Sequence, residues 1–234
     1  MPKKVAILQS NYIPWKGYFD IIASVDEFIF YDEMQYTKND WRNRNKIKTQ
    51  NGLQWLTIPC ETKGSVSNEQ KICNTKVTNK IWTNKHWNSI QNAYAKAPYF
   101  KENQDWVKAI YKSLENEDYL CKINYRFIYA ICDYLGIKTK LSFCQDYGLI
   151  EGKTERLVDL VQKAGGTEYL SGPAAKDYID ENLFKEAGIK LTWMDYSGYP
   201  EYSQLFPPFE HGVTILDLIF NTGKDARKYM KEIK

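Results

Sequence analysis

The chain has 234 residues, enough to bury one substantial α/β core with or without a small appended lobe. Its 43% hydrophobic and 26% charged residues are ordinary for a water-soluble enzyme, and a formal charge of +3 is too small to name a nucleic-acid partner. No stretch reaches the roughly 20 apolar residues of a membrane span, the opening MPKK leads into a strand rather than a signal peptide, and five scattered cysteines without a CxxC pair indicate neither a disulfide framework nor a zinc site, so a cytoplasmic location is expected.

Val5-Ala6-Ile7-Leu8 is short and apolar, as a buried parallel strand should be. The segment that follows, Gln9 to Gly17, cannot continue regular structure, because Pro14 fixes its own φ and biases Ile13 toward extended geometry. Helical spacing resumes at Tyr18 to Ala23, and Phe28-Ile29-Phe30-Tyr31 is a second buried strand with Asp32 at its carboxyl end. Open α/β sheets bind ligands outside the carboxyl ends of their parallel strands. That rule singles out Gln9, Asn11, Tyr12 and Trp15 after the first strand and Asp32, Gln35, Tyr36 and Lys38 after the second.

The segment WRNRNKIK, residues 41–48, is a basic arm. Alone it would read as a solvated hairpin, but Trp41 and the amides Asn43 and Asn45 suggest an arm held against the functional edge of the sheet. Arg42 and Arg44, with Lys46 and Lys48, suit a diphosphate, since guanidinium forks make paired, charge-assisted bonds to phosphate oxygens. Asn51-Gly52 predicts a hairpin joining residues 46–49 and 54–58. The polar stretch 60–70 is read as a loop over the site, and residues 72–77 as a short strand.

Between residues 80 and 135 the apolar positions recur at helical spacing. Pro98 and Asn116-Glu117-Asp118 divide this region into three helices, and Gly136 stops the third. It is read as a helical insert at about 80–136. The sheet resumes at Lys140 to Phe143, followed by a helix over 155–163 capped by Thr154, a strand over 168–171, a helix over 174–187 and a strand over 189–194. This rhythm predicts a Rossmann-like, mostly parallel α/β sheet with a β-hairpin arm and a helical insert, all within one domain over residues 1–234. Ser171-Gly172-Pro173 closes a strand and opens a helix, so its amides could face an anion. Residues 214–221 read as a short amphipathic helix.

Of the two histidines, His86 sits on a helical stretch between Trp82 and Tyr94 and is the first choice for a general acid or base, with Asp32 as its companion carboxylate. His211, beside Pro207-Pro208-Phe209, is read as a surface residue. Tyr199 and Gln204 are placed to close over a ligand from the far side, or to form a packed wrap. Cys60, at a strand end after Pro59, is a further candidate, as a nucleophile toward a thioester donor, although no histidine adjoins it in sequence. No second acidic motif has the spacing of a metal site.

The segments QSNYIPWKGYF, YDEMQY, WRNRNKIK and WLTIP, continuing through AYAKAPYF, YLSGPAAKDY and TILDLIFNTG, resemble the WbqC-like family over nearly the whole chain. Two positions depart from the family pattern: Leu8 stands where many members carry His, and Ser10 where they carry Pro. The position of His86 is similar to one that holds histidine in relatives. The resemblance implies a part in surface-polysaccharide biosynthesis, such as that of the lipopolysaccharide O-antigen. On that footing the expected activity is acyl or aminoacyl transfer to the amine of a nucleotide-linked sugar, with ATP or an activated acyl donor and no metal; self-association into a homo-oligomer is left open. A nucleotidyltransferase is the alternative, against which the histidine-free first loop counts. A non-catalytic nucleotide-sugar binding module is another, since 18 Tyr and 7 Trp offer many stacking faces.

Overall fold

The structure, a computed structural model, describes residues 2–62 and 70–233. Strand β1 (Lys4–Leu8) leads through the Pro14 loop into helix α1 (Lys16–Ala23) and strand β2 (Glu27–Phe30). A hairpin follows, β3 (Arg44–Thr49) and β4 (Gly52–Thr57), antiparallel, with Thr49 opposite Gly52. The turn is therefore Gln50-Asn51, one residue earlier than the Asn-Gly signal places it, and Gly52 supplies the positive φ of 98°. Three helices come next, α2 (Trp82–Tyr94), α3 (Phe100–Ser113) and α4 (Leu120–Leu135), the last ended by Gly136 in the left-handed region at φ 69°. Then come β5 (Lys140–Phe143), α5 (Thr154–Lys163), β6 (Glu168–Ser171), α6 (Glu181–Glu186), β7 (Lys190–Trp193) and α7 (Ile215–Thr222).

Five strands form one parallel sheet in the order β5-β2-β1-β6-β7. From β1 the chain builds outward through β2 to β5, then returns to β1's other edge to add β6 and β7. The order reverses between β1 and β6, and such a reversal leaves a crevice outside the carboxyl ends of the two strands. Alternate side chains enter different cores. Ala6, Phe28, Phe30 and Leu170 pack with α1 to α4 and α7, while Val5, Ile7, Ile29 and Tyr169 pack with α5 and α6. Both faces are covered, which is why the strands read as unbroken apolar runs.

Several sequence expectations change. Residues 72–77 hold a single 3-10 turn, Ile72–Asn74, and isolated bridges rather than a strand. The expected helix over 174–187 is broken into a 3-10 turn (Pro173–Asp177) and the short α6, because the Asp180 side chain accepts the Asn182 N–H and starts a new helix. Thr154 does not cap α5; its hydroxyl oxygen accepts the Asp180 N–H, tying α5 to α6. Helix α7 is buried on all sides, not amphipathic. The Asp217 carboxylate accepts from Tyr94, Tyr202 and Gln204, which satisfies the acid inside an apolar core. Among the described residues no helix is long and apolar enough to cross a membrane.

Candidate functional site

A cleft of about 700 Å³ opens at the β1/β6 reversal, lined by Leu8 and Gln9 from β1's end and by Ser171 and Gly172 from β6's end. Its size suits a cofactor-sized ligand. Its charged lining residues are Arg42, Lys153 and Arg156, and among the described residues none of the lining side chains is acidic. Gly152 and Lys153 bring the N-terminus of α5 to the same wall, where unpaired amides add positive potential. Arg156 Nε donates to the Ile150 carbonyl, which fixes the guanidinium on its helix. Tyr31, Met34 and Tyr178 supply apolar surface beside these cations.

Arg42 is aimed by three neighbours. Its Nη1 donates to Asn11 Oδ1, its Nη2 lies 3.7 Å from the Asp40 carboxylate, and its carbonyl accepts from Asn124. Its Nε is enclosed and has no partner among the described residues. Asp32 fixes the loop from beneath, with one carboxylate oxygen accepting the Ser10 N–H at 2.8 Å and the other the Tyr125 hydroxyl at 2.8 Å. Burial pushes the Asp32 carboxyl upward, against these donors and the nearby Arg42 charge.

Asn11 also lines a second, smaller pocket of about 310 Å³ with Pro14, Trp15, Trp41, Asn45 and His211. The hydrogen-bonded pair Arg42 and Asn11 thus joins the two cavities, one residue in each wall. The second pocket is built on a strained turn. Ile13 has φ 39°, which is rare for a β-branched residue, and the Asn45 amide holds it by donating to the carbonyls of Tyr12 and Ile13. Gly17 leaves room for the Trp15 indole, since a Cβ there would stand 2.3 Å from a ring carbon.

The residues singled out from sequence separate into groups. Gln9, Gln35, Arg42 and Ser171 line the large cleft, and Asn11, Trp15 and Trp41 the small pocket. Arg44 instead stacks over Trp55 at 4.2 Å, and Lys46 lies near the same ring, because alternate residues of β3 share the hairpin's outer face. Lys38 is exposed and lines neither cavity. Asn43, Tyr12 and Tyr36 are buried; the Asn43 amide donates to the Ile58 carbonyl. Tyr199 packs edge-on against Trp15, whereas Gln204 belongs to the internal Asp217 network with Lys48.

The two expected catalytic groups are both enclosed. His86 is buried with its Nδ1 paired to the Tyr12 hydroxyl at 2.9 Å and its Nε2 to the Thr57 carbonyl at 3.2 Å, and burial lowers it to about 4. Neither His86 nor Asp32 lines either of these two cavities, and each bonds the loop after β1. Cys60 is half-buried, and burial raises its thiol to about 12, which removes the reactive thiolate. The loop expected over 60–70 lies largely outside the described residues, which omit 63–69.

Sequence reasoning missed Lys153, Arg156 and His211. The first two had a signal: GKTER, residues 152–156, puts two cations at a helix start after a parallel strand. His211 had none, because its pocket is assembled from three distant segments.

The sequence pattern of the WbqC-like protein family matches residues 9–229. An uncharacterized protein of Mycobacterium tuberculosis (strain ATCC 25618 / H37Rv), Rv1507c, is 53% identical over 229 residues, spanning 98% of each chain. No solved structure matches this chain.

Proposed function

The chain belongs to the WbqC-like protein family, and we propose that it is an enzyme of surface-glycan biosynthesis acting on a nucleotide-linked amino sugar. One observation carries the reading: a cleft at the strand-order reversal whose charged lining residues are all cationic. Arg42, Arg156 and Lys153 would hold the diphosphate, and the apolar wall of Tyr31, Met34 and Tyr178 would receive the nucleoside. The reaction is acyl or aminoacyl transfer to the sugar amine: the amine nitrogen attacks the carbonyl carbon of an activated acyl donor, the bond to the leaving group breaks with its electron pair going to that group, and the nitrogen gives up one proton to the leaving group or solvent as the amide forms. Immobilising the phosphates turns a bimolecular encounter into a positioned one, the usual source of rate in such a step. The glycan setting rests on the family likeness, and the acyl transfer on the nucleophilicity of a free sugar amine.

Calorimetric titration with UDP- and dTDP-linked amino sugars tests the binding. Arg42→Ala and Arg156→Ala should each weaken it about tenfold or more, the loss of a charge-assisted bond of roughly 1.5–3 kcal/mol. Incubation with an acyl-donor panel (ATP with glycine, and acyl thioesters) should add one acyl mass to the sugar. Binding without any added mass across the panel would leave a nucleotide-sugar binding module and remove the transferase.

A further inference from the structure

The diphosphate reading leaves the smaller pocket unused. Apart from His211, none of its lining residues is titratable, so a phosphate gains little there. Two indoles, Trp15 and the 43% exposed Trp41, offer flat apolar faces of the kind that cover the C–H face of a sugar ring. About 310 Å³ is room for one such ring. His211 packs edge-on against Phe209 at 4.6 Å. Its Nδ1 is enclosed without a hydrogen-bond partner among the described residues, while its Nε2 also makes no hydrogen bond among them and is not enclosed.

We propose that this pocket is the subsite for an amino-bearing pyranose ring, packed between Trp15 and Trp41, with His211 Nε2 accepting a hydrogen bond from the ring's amine. The proposal rests on the nucleotide-linked amino sugar reading, and it divides the ligand: phosphates on the Arg42 side of the Arg42–Asn11 pair, ring on the Asn11 side. When the amine arrives as an ammonium, one N–H bond breaks and the proton passes to Nε2. The freed nitrogen lone pair is then available to the acyl carbon of the donor. This gives His211 the acid–base work that the sequence reading expects of His86.

The surroundings keep the imidazole neutral, and with the proton on the enclosed Nδ1 the Nε2 is the accepting nitrogen. Burial and the Lys16 charge lower His211 below its ordinary 6.5, and the carboxylates of Glu201 and Glu210 oppose them. Lys16 is itself buried, donating to the Pro200 carbonyl and lying over the Tyr199 and Tyr202 rings. Burial lowers it to about 8, with Asp20, Asp217 and Glu201 acting in the other direction. Lys46 approaches from the hairpin, its Nζ 3.5 Å from where a Gly212 Cβ would stand.

Because the chain has only two histidines, imidazole C–H spectra resolve the question directly, with His211→Gln assigning the signals. The probes are methyl glycosides of 2-, 3- and 4-amino-deoxyhexoses, and separately UDP. One amino glycoside should shift His211 saturably and leave His86 in place. Trp41→Ala should weaken that saturation about fivefold, as loss of a stacking face requires. Binding should also fade as pH falls through the His211 titration, where a protonated ring can no longer accept. A silent His211, or a shift that Trp41→Ala leaves unchanged, overturns the subsite. UDP binding together with a His211 that stays silent to every amino glycoside would sink the subsite alone. An amino-glycoside shift without UDP binding would support the subsite and sink the diphosphate reading.

Discussion

Glu27 and Asp32 stand at opposite ends of β2, both fully buried, and their surroundings treat charge in opposite ways. At the amino end, burial would raise Glu27, but donors from Lys3, Ser142, Tyr147 and Lys140 outweigh it and hold the carboxyl down to about 2. At the carboxyl end burial outweighs the donors that meet Asp32, the Ser10 N–H and side chain and the Tyr125 hydroxyl, with the Arg42 charge farther off. Unpaired polar atoms gather near this second end: among the described residues Arg42 Nε, Asn43 Oδ1 and Asn124 Oδ1 are enclosed without partners. One end of the sheet is saturated and the other is left short of partners beside a cleft. Satisfied polar groups gather at the amino end and unmet polar capacity at the end beside the cleft.

The sharpest way to break this comparison is to delete each acid. Asp32→Ala leaves the Ser10 N–H and the Tyr125 hydroxyl buried without an acceptor, an expected loss of about 3 kcal/mol in urea unfolding. Glu27→Ala should cost less, about 2 kcal/mol, because Lys3 and Lys140 are part-exposed and regain water. Equal losses would mean that the two ends are not built differently.

Gly17→Ala tests the site end alone. Its Cβ meets the Trp15 ring, so the indole must leave the pocket wall, with about 1–2 kcal/mol lost and Trp fluorescence altered. The Glu27 cluster should be untouched, and the acid stability of this variant unchanged.

The smallest effect is a pair of opposite pH slopes. Glu27 is lowered in the fold, so its contribution is complete above its ordinary 4.5 and is lost as pH falls toward about 2. Asp32 is raised, so its contribution is present below 3.8 and is lost as pH climbs through its folded value. Unfolding of Glu27→Gln and Asp32→Asn across acid pH should show differences from the unaltered protein that run in opposite directions. Parallel slopes would place both acids in the same regime.

Much of the scaffold was legible because it depends on local pattern. The apolar runs at β1 and β2, the three helices separated by Pro98 and the Asn116 turn, and the Gly136 stop all follow from spacing and backbone chemistry. What escaped depends on assembly. Nothing local tells that Thr154 will bond Asp180 rather than cap its own helix, or that α7 will be enclosed on every side. The site was half legible for the same reason. The Asn11 turn and Arg42 stand out by composition and do meet, but strand alternation sends Arg44 to the outer face of the hairpin. His86 drew attention as a helical histidine among aromatic residues, and those residues are what bury it.

The central claim is that the cleft between β1 and β6 holds phosphate through Arg42, Lys153 and Arg156. Calorimetry of UDP binding to the unaltered protein and to Arg156→Ala tests it most directly, since Arg156 lies outside the loop that Asp32 supports. The account expects measurable binding, weakened about tenfold or more in the variant and falling with added salt. Equal affinity in the two proteins would contradict it.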